Sequence, residues 1–176
     1  MQEAEVSLRV GIYHIVHGLT KADVLISIDG AHIKTKDQVN FDIWSFFKDI
    51  GLIKIDKETE RWQGKYLIDG YEPHIEIVSK PGIGDVNVTL SNGKKLLIES
   101  KKGKESKSGM EYPLMREAIG QLMTVGELGG NTVPVVAVPY SRKAYSLARK
   151  WSEYSQIKQF GLKFYLVEAD GNMVIV

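Results

Sequence analysis

The stretch GIGDVNVTLSNGKKLLIESKKG, Gly82 to Gly103, sets two runs of β-branched and aliphatic residues on either side of Ser91-Asn92-Gly93. An Asp stands at the mouth of the first run, and a Glu and a Lys stand at the exit of the second. A strand turns alternate residues to opposite faces, so the connection between the runs decides which side chains share a face. If Asn92-Gly93 is a two-residue turn, Ser91 pairs with Lys94 and Asp85 faces Ser100. If Ser91-Asn92-Gly93 is a three-residue loop with a left-handed Gly93, Leu90 pairs with Lys94. The second register sorts the residues better. It puts Val86, Val88, Leu90, Leu96 and Ile98 on one face, and Asp85, Asn87, Thr89, Lys95, Glu99 and Lys101 on the other, with Leu97 as the misfit. Asp85 then lies opposite Glu99.

Like charges facing each other across a strand pair destabilise a sheet, so a cation is needed between them. Hard carboxylate oxygens suit Mg²⁺ or Mn²⁺. Lys101, two residues beyond Glu99 and on the same face, sets an ammonium beside the same spot, where it orients a water or balances an anionic transition state. This set of groups suits phosphodiester hydrolysis.

Outward from the hairpin, the pattern predicts a mixed α/β chain. Val6 to Val16 alternates as a strand does, although Val6, Val10 and Tyr13 also fall at helical spacing. Asp29-Gly30 between two β-rich runs predicts a hairpin turn, so residues 1–34 are expected to form an N-terminal β addition. Thr35 and Gln38 have the spacing of a capping box. Val39, Ile43, Phe46, Phe47 and Ile50 then predict a first core helix over about 36–50, stopped by Gly51. Residues 52–72 are ambiguous, with an Asp69-Gly70 turn, and HIEIVS after Pro73 reads as a strand. Gly103 to Gly109 reads as a mobile loop. A helix from Pro113 with Leu114, Ala118, Leu122 and Val125 on one face follows, then a buried strand in TVPVVAVPY. Ser141 caps a helix to about Gln156, and KFYLVEA is the last strand. Nothing divides the chain, so a single domain is expected.

Composition narrows the classes. The 176 residues are 43% hydrophobic and 26% charged, as in an ordinary globular chain. Cysteine is absent, which excludes disulfide scaffolds, cysteine nucleophiles and thiolate metal sites. The acidic start MQEAEVSLRV lacks the basic region of a secretory signal and no apolar run is long enough to span a bilayer, so a cytoplasmic location without a membrane partner is expected. Net charge is only +1, but residues 94–108 hold six lysines against two glutamates. The basic charge therefore gathers around the hairpin, where it either faces solvent or grips phosphate.

These residues resemble the PD-(D/E)XK nucleases, the restriction-endonuclease-like superfamily. Their core is a helix, a three-stranded meander, a helix and a strand, with an Asp opening the second strand and Glu-x-Lys closing the third. The resemblance spans about residues 36–139, and residues 140–176 add a further helix and strand to the mixed, helix-flanked sheet. It implies Asp85 and Glu99 as ligands of Mg²⁺ or Mn²⁺, the Ser100 carbonyl as a further ligand, and Lys101 as the group serving the nucleophile. Gln121 matches the polar residue that some members carry on the following helix. Asp37 and Asp42 are the candidates for a carboxylate from the first helix. The pattern departs at Gly84, where the family often has proline. A second Glu-x-Lys, Glu105 to Lys107, lies in a Gly/Ser-rich loop without apolar flanks.

The implied activity is metal-dependent hydrolysis of DNA. Lys102, Lys104, Lys107 and Arg116 would hold the phosphate backbone, and homodimerisation would allow both strands to be cut. A binding or assembly module on the same fold is the alternative, and it needs no metal. His14 and His17, read on a strand, point apart, and His32 and His74 stand alone in the sequence. Trp44, Phe46 and Phe47 are expected in the core, while Tyr140, Arg142 and Lys143 suit either a helix start or the flank of a nucleic-acid groove.

Overall fold

The computed structural model describes residues 1–56, 60–103, 110–126 and 128–176. In chain order the first half contains α1 (Glu3–Val16), β1 (Val24–Ser27), α2 (Gly30–Ile33), β2 (Lys34–Thr35), β3 (Gln38–Val39), α3 (Ile43–Asp49), β4 (Leu52–Lys54), β5 (Gly64–Ile68) and β6 (Ile75–Val78). The second half contains β7 (Val86–Thr89), β8 (Lys95–Ser100), α4 (Glu111–Thr124), β9 (Thr132–Pro139), α5 (Arg142–Ser152), α6 (Ser155–Phe160), β10 (Lys163–Val167) and β11 (Met173–Ile175). One large mixed sheet runs in the order β11-β10-β9-β8-β7-β1-β6-β5-β4, and β2 pairs with β3 apart from it. Among the described residues no helix is long and apolar enough to cross a membrane.

The β7–β8 hairpin adopts the three-residue loop. The Leu90 N–H donates to the Lys94 carbonyl at 2.8 Å, and Gly93 takes φ +83°. Val86 pairs with Ile98 and Val88 with Leu96. These four residues are buried in the core that α1 covers. Leu97 is no misfit, because the opposite face is also buried: it packs with Met115, Ala118 and Leu122 of α4. The alternation continues across the sheet. Val135, Ala137, Tyr165 and Val167 point toward α1, and Val136, Val138, Phe164 and Leu166 point toward α4 and α5.

Residues 3–16 form a helix rather than a strand. Its buried stripe is Ala4, Ser7, Leu8, Gly11, His14 and Ile15, at helical spacing. Four of these six are small or polar, which hides the stripe, while Val6 and Val10 are buried too and mimic alternation. Gly11 allows the close approach, since a Cβ there would lie 2.8 Å from Ile26 Cδ1 of β1. Buried His14 donates its Nδ1–H to the Val10 carbonyl, 2.8 Å away, and stacks on Tyr165. The N-terminal region is thus a helix plus β1, and β1 lies in the middle of the sheet, parallel to β6 and antiparallel to β7.

The expected first core helix is also displaced. Asp29 caps α2 by accepting from the Ala31 N–H, so Asp29-Gly30 is a helix start and not a hairpin turn. Thr35 and Gln38, read as a capping box, face each other in the β2–β3 hairpin. The helix begins only at Ile43, where Asp42 accepts from the Ser45 N–H, and it ends before Gly51 at φ +70°. Of its aromatics Phe47 is buried, Phe46 packs against the core, and Trp44 stays 44% exposed. Residues 52–54 and 64–68 pair as β4 and β5 at the sheet edge. The helix after Ser141 breaks at Ser152 and resumes as α6, and β11 is an edge strand the sequence pattern missed.

The consequence for the site is geometric. The carboxyl ends of β1 and β8 and the start of β7 meet at one end of the sheet, where the Ser27 N–H donates to the Asp85 carbonyl at 2.8 Å. The start of α1 covers this end from one face and α4 from the other.

Candidate active site

Asp85, Glu99, Lys101 and Gln121 line one cleft of about 670 Å³ at that end of the sheet. Gly84, at φ +75°, turns the chain into β7, and a Cβ there would lie 2.6 Å from Leu97 Cδ1. The Asp85 N–H then donates to the Ile98 carbonyl at 2.9 Å, and Asp85 Oδ2 accepts the Ser100 N–H at 2.7 Å. Asp85 is thereby fixed beside Glu99, and the two carboxyl groups share a hydrogen bond. Burial raises the Asp85 pKa, opposed by the Ser100 N–H and reinforced by Glu3. Burial, followed by the charge of Asp85, raises that of Glu99. The pair holds a proton more tightly than free carboxylates do, because two like charges in a buried place cannot both ionise cheaply.

Lys101 has a nearly buried side chain, 6% exposed, and bridges the two helical layers. Its Nζ lies 3.5 Å from Glu3 Oε1 on α1 and 3.4 Å from Glu117 Oε1 on α4. Burial works against its charge, but Glu3, Asp85, Glu117 and Glu99 outweigh burial and hold its pKa above the ordinary lysine value. The ammonium therefore stays protonated, suited to orienting a water or facing an anion and not to accepting a proton.

Glu3, His32 and Lys80 are among the cleft residues that escaped sequence reasoning. Glu3 lines the cleft from the first turn of α1, and His32 reaches it from α2, with Nδ1 at 3.6 Å from the same Glu3 oxygen that Lys101 approaches. A helical reading of residues 3–16 would have exposed Glu3 as an acid at a helix start. His32 carries no local signal, since only the fold brings it there. Asp37 and Asp42 are not at the cleft: Asp42 is spent on capping α3.

Of the expected phosphate grips, the two among the described residues do not line the cleft. Lys102 is exposed on a separate depression near Met110 and Tyr140, and the Arg116 guanidinium lies over the Tyr112 ring, 5.4 Å from its centroid. Lys104, Lys107 and the second Glu-x-Lys fall outside the described residues, as does most of the loop expected to be mobile. Ser100 is fully buried, and its Oγ has no hydrogen-bond partner among the described residues. His14 lies in α1 and His17 caps its end, each with Nδ1 turned to the carbonyl four residues back, and neither lines the cleft. His74 lies 3.4 Å from Asp23, also outside the cleft. Among the described residues, no three His, Asp or Glu side chains form a ready metal cage.

No protein-family model matches this chain, and neither does any curated protein or any solved structure.

Proposed function

We propose that the cleft is a metal-dependent nuclease site that hydrolyses DNA phosphodiester bonds. The observation that carries this reading is the buried contact of Asp85 with Glu99, with Lys101 beside it, all on one cleft. Two hard carboxylates forced together, with no thiolate in the chain, fit Mg²⁺ or Mn²⁺. Asp85 and Glu99 would hold the ion, with the Ser100 carbonyl as a further oxygen, while Glu3, and not Asp37 or Asp42, is the acid that a preceding helix brings to the cleft. The bound ion would polarise the phosphoryl group and lower the pKa of water. Lys101 orients that water or faces the charge that develops on phosphorus, and Glu3 and Glu117 aim its ammonium. Gln121, exposed on α4, adds an amide to the same wall.

The topology supports the resemblance to PD-(D/E)XK nucleases in a corrected form. With residues 28–80 set aside as an insertion, α1, β1, β7, β8, α4 and β9 follow as a helix, three antiparallel strands, a helix and a strand. Asp85 then opens the second of these strands, and Glu99 and Lys101 close the third.

Cleavage of supercoiled and linear plasmid with Mg²⁺, Mn²⁺ or EDTA tests this, run beside Asp85→Ala and Lys101→Ala. Metal-dependent nicking, lost in both variants, is expected, and the ratio of nicked to linear product reports whether protomers act in pairs. Absence of cleavage together with absence of calorimetric Mg²⁺ or Mn²⁺ binding would refute the reading and favour a binding module on the same cleft.

A further inference from the structure

Among the described residues, the cations expected to grip DNA stand apart from the cleft. Lys102 and Arg116 lie elsewhere, whereas Lys80 and His32 line the wall, both from the insertion between β1 and β7. Lys80 is held by its backbone. Its N–H donates to Ser27 Oγ at 3.1 Å, and the Ser27 hydroxyl donates to its carbonyl at 2.6 Å. Ser27 ends β1, whose next contact is the Asp85 carbonyl, so one short chain of hydrogen bonds joins the Lys80 backbone to the acid pair. Pro81 and the left-handed Gly82 and Gly84 then carry the chain directly from Lys80 to Asp85. The Lys80 ammonium forms no ion pair among the described residues, unlike Lys101, which faces two carboxylates. It is therefore a cation in reserve, fixed at its base and free at its tip, beside a site whose other charges are mostly negative. An ammonium so placed has the chemistry for a phosphate diester and little use within the fold itself.

We propose that Lys80, with His32 as a second donor, forms a phosphate-binding wall that holds the backbone of one DNA strand beside the scissile group. Ser27 is a positioning residue for Lys80. This rests on the nuclease reading of the cleft, but it is tested by binding and not by turnover.

The probe is a fluorescein-labelled 20-mer of DNA, single-stranded or duplex, titrated with the full chain in EDTA across a salt series. One lost phosphate contact lowers the salt slope by about 0.7 for a single strand and about 0.9 for a duplex. At 0.1 M salt that is about fivefold to eightfold in Kd. Lys80→Ala is expected to show this loss and this slope change, and Lys80→Arg to restore most of both. Lys102→Ala and Arg116→Ala are expected to change binding less. Lys80 is exposed, so the variant folds, and its thermal unfolding is checked alongside. Unchanged affinity and slope in Lys80→Ala, with the wild type binding the probe, overturns the wall. If Lys80→Ala weakens binding while no metal supports cleavage, the wall stands and the nuclease reading falls.

Discussion

Replacing Glu99 with Gln isolates the energy of the acid pair. Both carboxyls have pKa values raised on folding, chiefly by burial. A raised carboxyl binds its proton more tightly in the folded chain than in the unfolded one. Stability from this source is therefore greatest below the ordinary carboxylate range, and is lost as pH rises through the raised folded values. Two unit charges about 4 Å apart repel by about 4 kcal/mol at an effective dielectric near 20. Asp85 is only half-buried and Lys101 lies close to both acids, so roughly half of that, about 2 kcal/mol, is the net penalty at alkaline pH. In Glu99→Gln the amide still donates to Asp85, as protonated Glu99 does, so the two chains should match near pH 5. By pH 9 the variant should be the more stable by about 2 kcal/mol, a rise of about 4–8 °C in Tm for a chain of this size. Thermal unfolding followed by circular dichroism in EDTA from pH 5 to 9 measures this, and other titrating groups cancel in the difference. Adding Mg²⁺ at pH 8 should raise the Tm of the wild type more than that of the variant. A difference that does not change with pH would mean the two carboxyls do not share a site, and the metal reading would lose its basis.

Lys101→Met leaves Glu3, Asp85 and Glu99 without their cation, and should cost about 3 kcal/mol in urea unfolding at neutral pH as well as abolishing cleavage. Gly84→Ala places a Cβ against Leu97 at a left-handed position, and should cost about 2 kcal/mol while also reducing cleavage, because Asp85 is the next residue. Burial lowers the His14 pKa, so the unfolded chain binds its proton more tightly. Stability from that residue is therefore lost as pH falls through the ordinary histidine range, and His14→Leu should flatten the Tm profile between pH 7 and 5.

The hairpin was legible because its information is local. Gly93 sets the loop, alternation sets the face, and Asp85 opposite Glu99 follows from counting residues. The same holds for β9 and for α5, whose Ser141 cap accepts from the Ala144 N–H. What could not be read were the pieces that long-range burial decides. α1 is covered so widely that its apolar residues obey no single period, and its stripe contains Ser7, Gly11 and His14 in place of aliphatic residues. Thr35 and Gln38 carry the letters of a cap but sit in a hairpin, because the chain had not yet turned back to the core. β1 lies between β6 and β7, a placement that no pattern within β1 encodes. Glu3 and His32 were missed for this reason: each reaches the cleft through an element whose position the whole sheet determines.

The charges around Lys101 argue that the site is retained for use and not for stability. Glu3, Asp85, Glu99 and Glu117 surround a single ammonium, and the sheet would be quieter with an amide or an aliphatic residue at several of these positions. Protons can correct the imbalance in acid, as the shared hydrogen bond of Asp85 and Glu99 does, but near neutral pH a divalent cation would do so more effectively. Such a cation would also strengthen the hold on a polyanion by offsetting the four acids. Lys80 fits this order of events. Its ammonium stands outside the acid cluster's ion pairs, so it can attract a phosphate before the inner charges are balanced, and its Ser27 clamp keeps it on the wall nearest Asp85. The segment that carries Lys80 and His32 would then be more than an extension of the sheet edge, since it would supply the donors that an acidic floor needs to hold a phosphate.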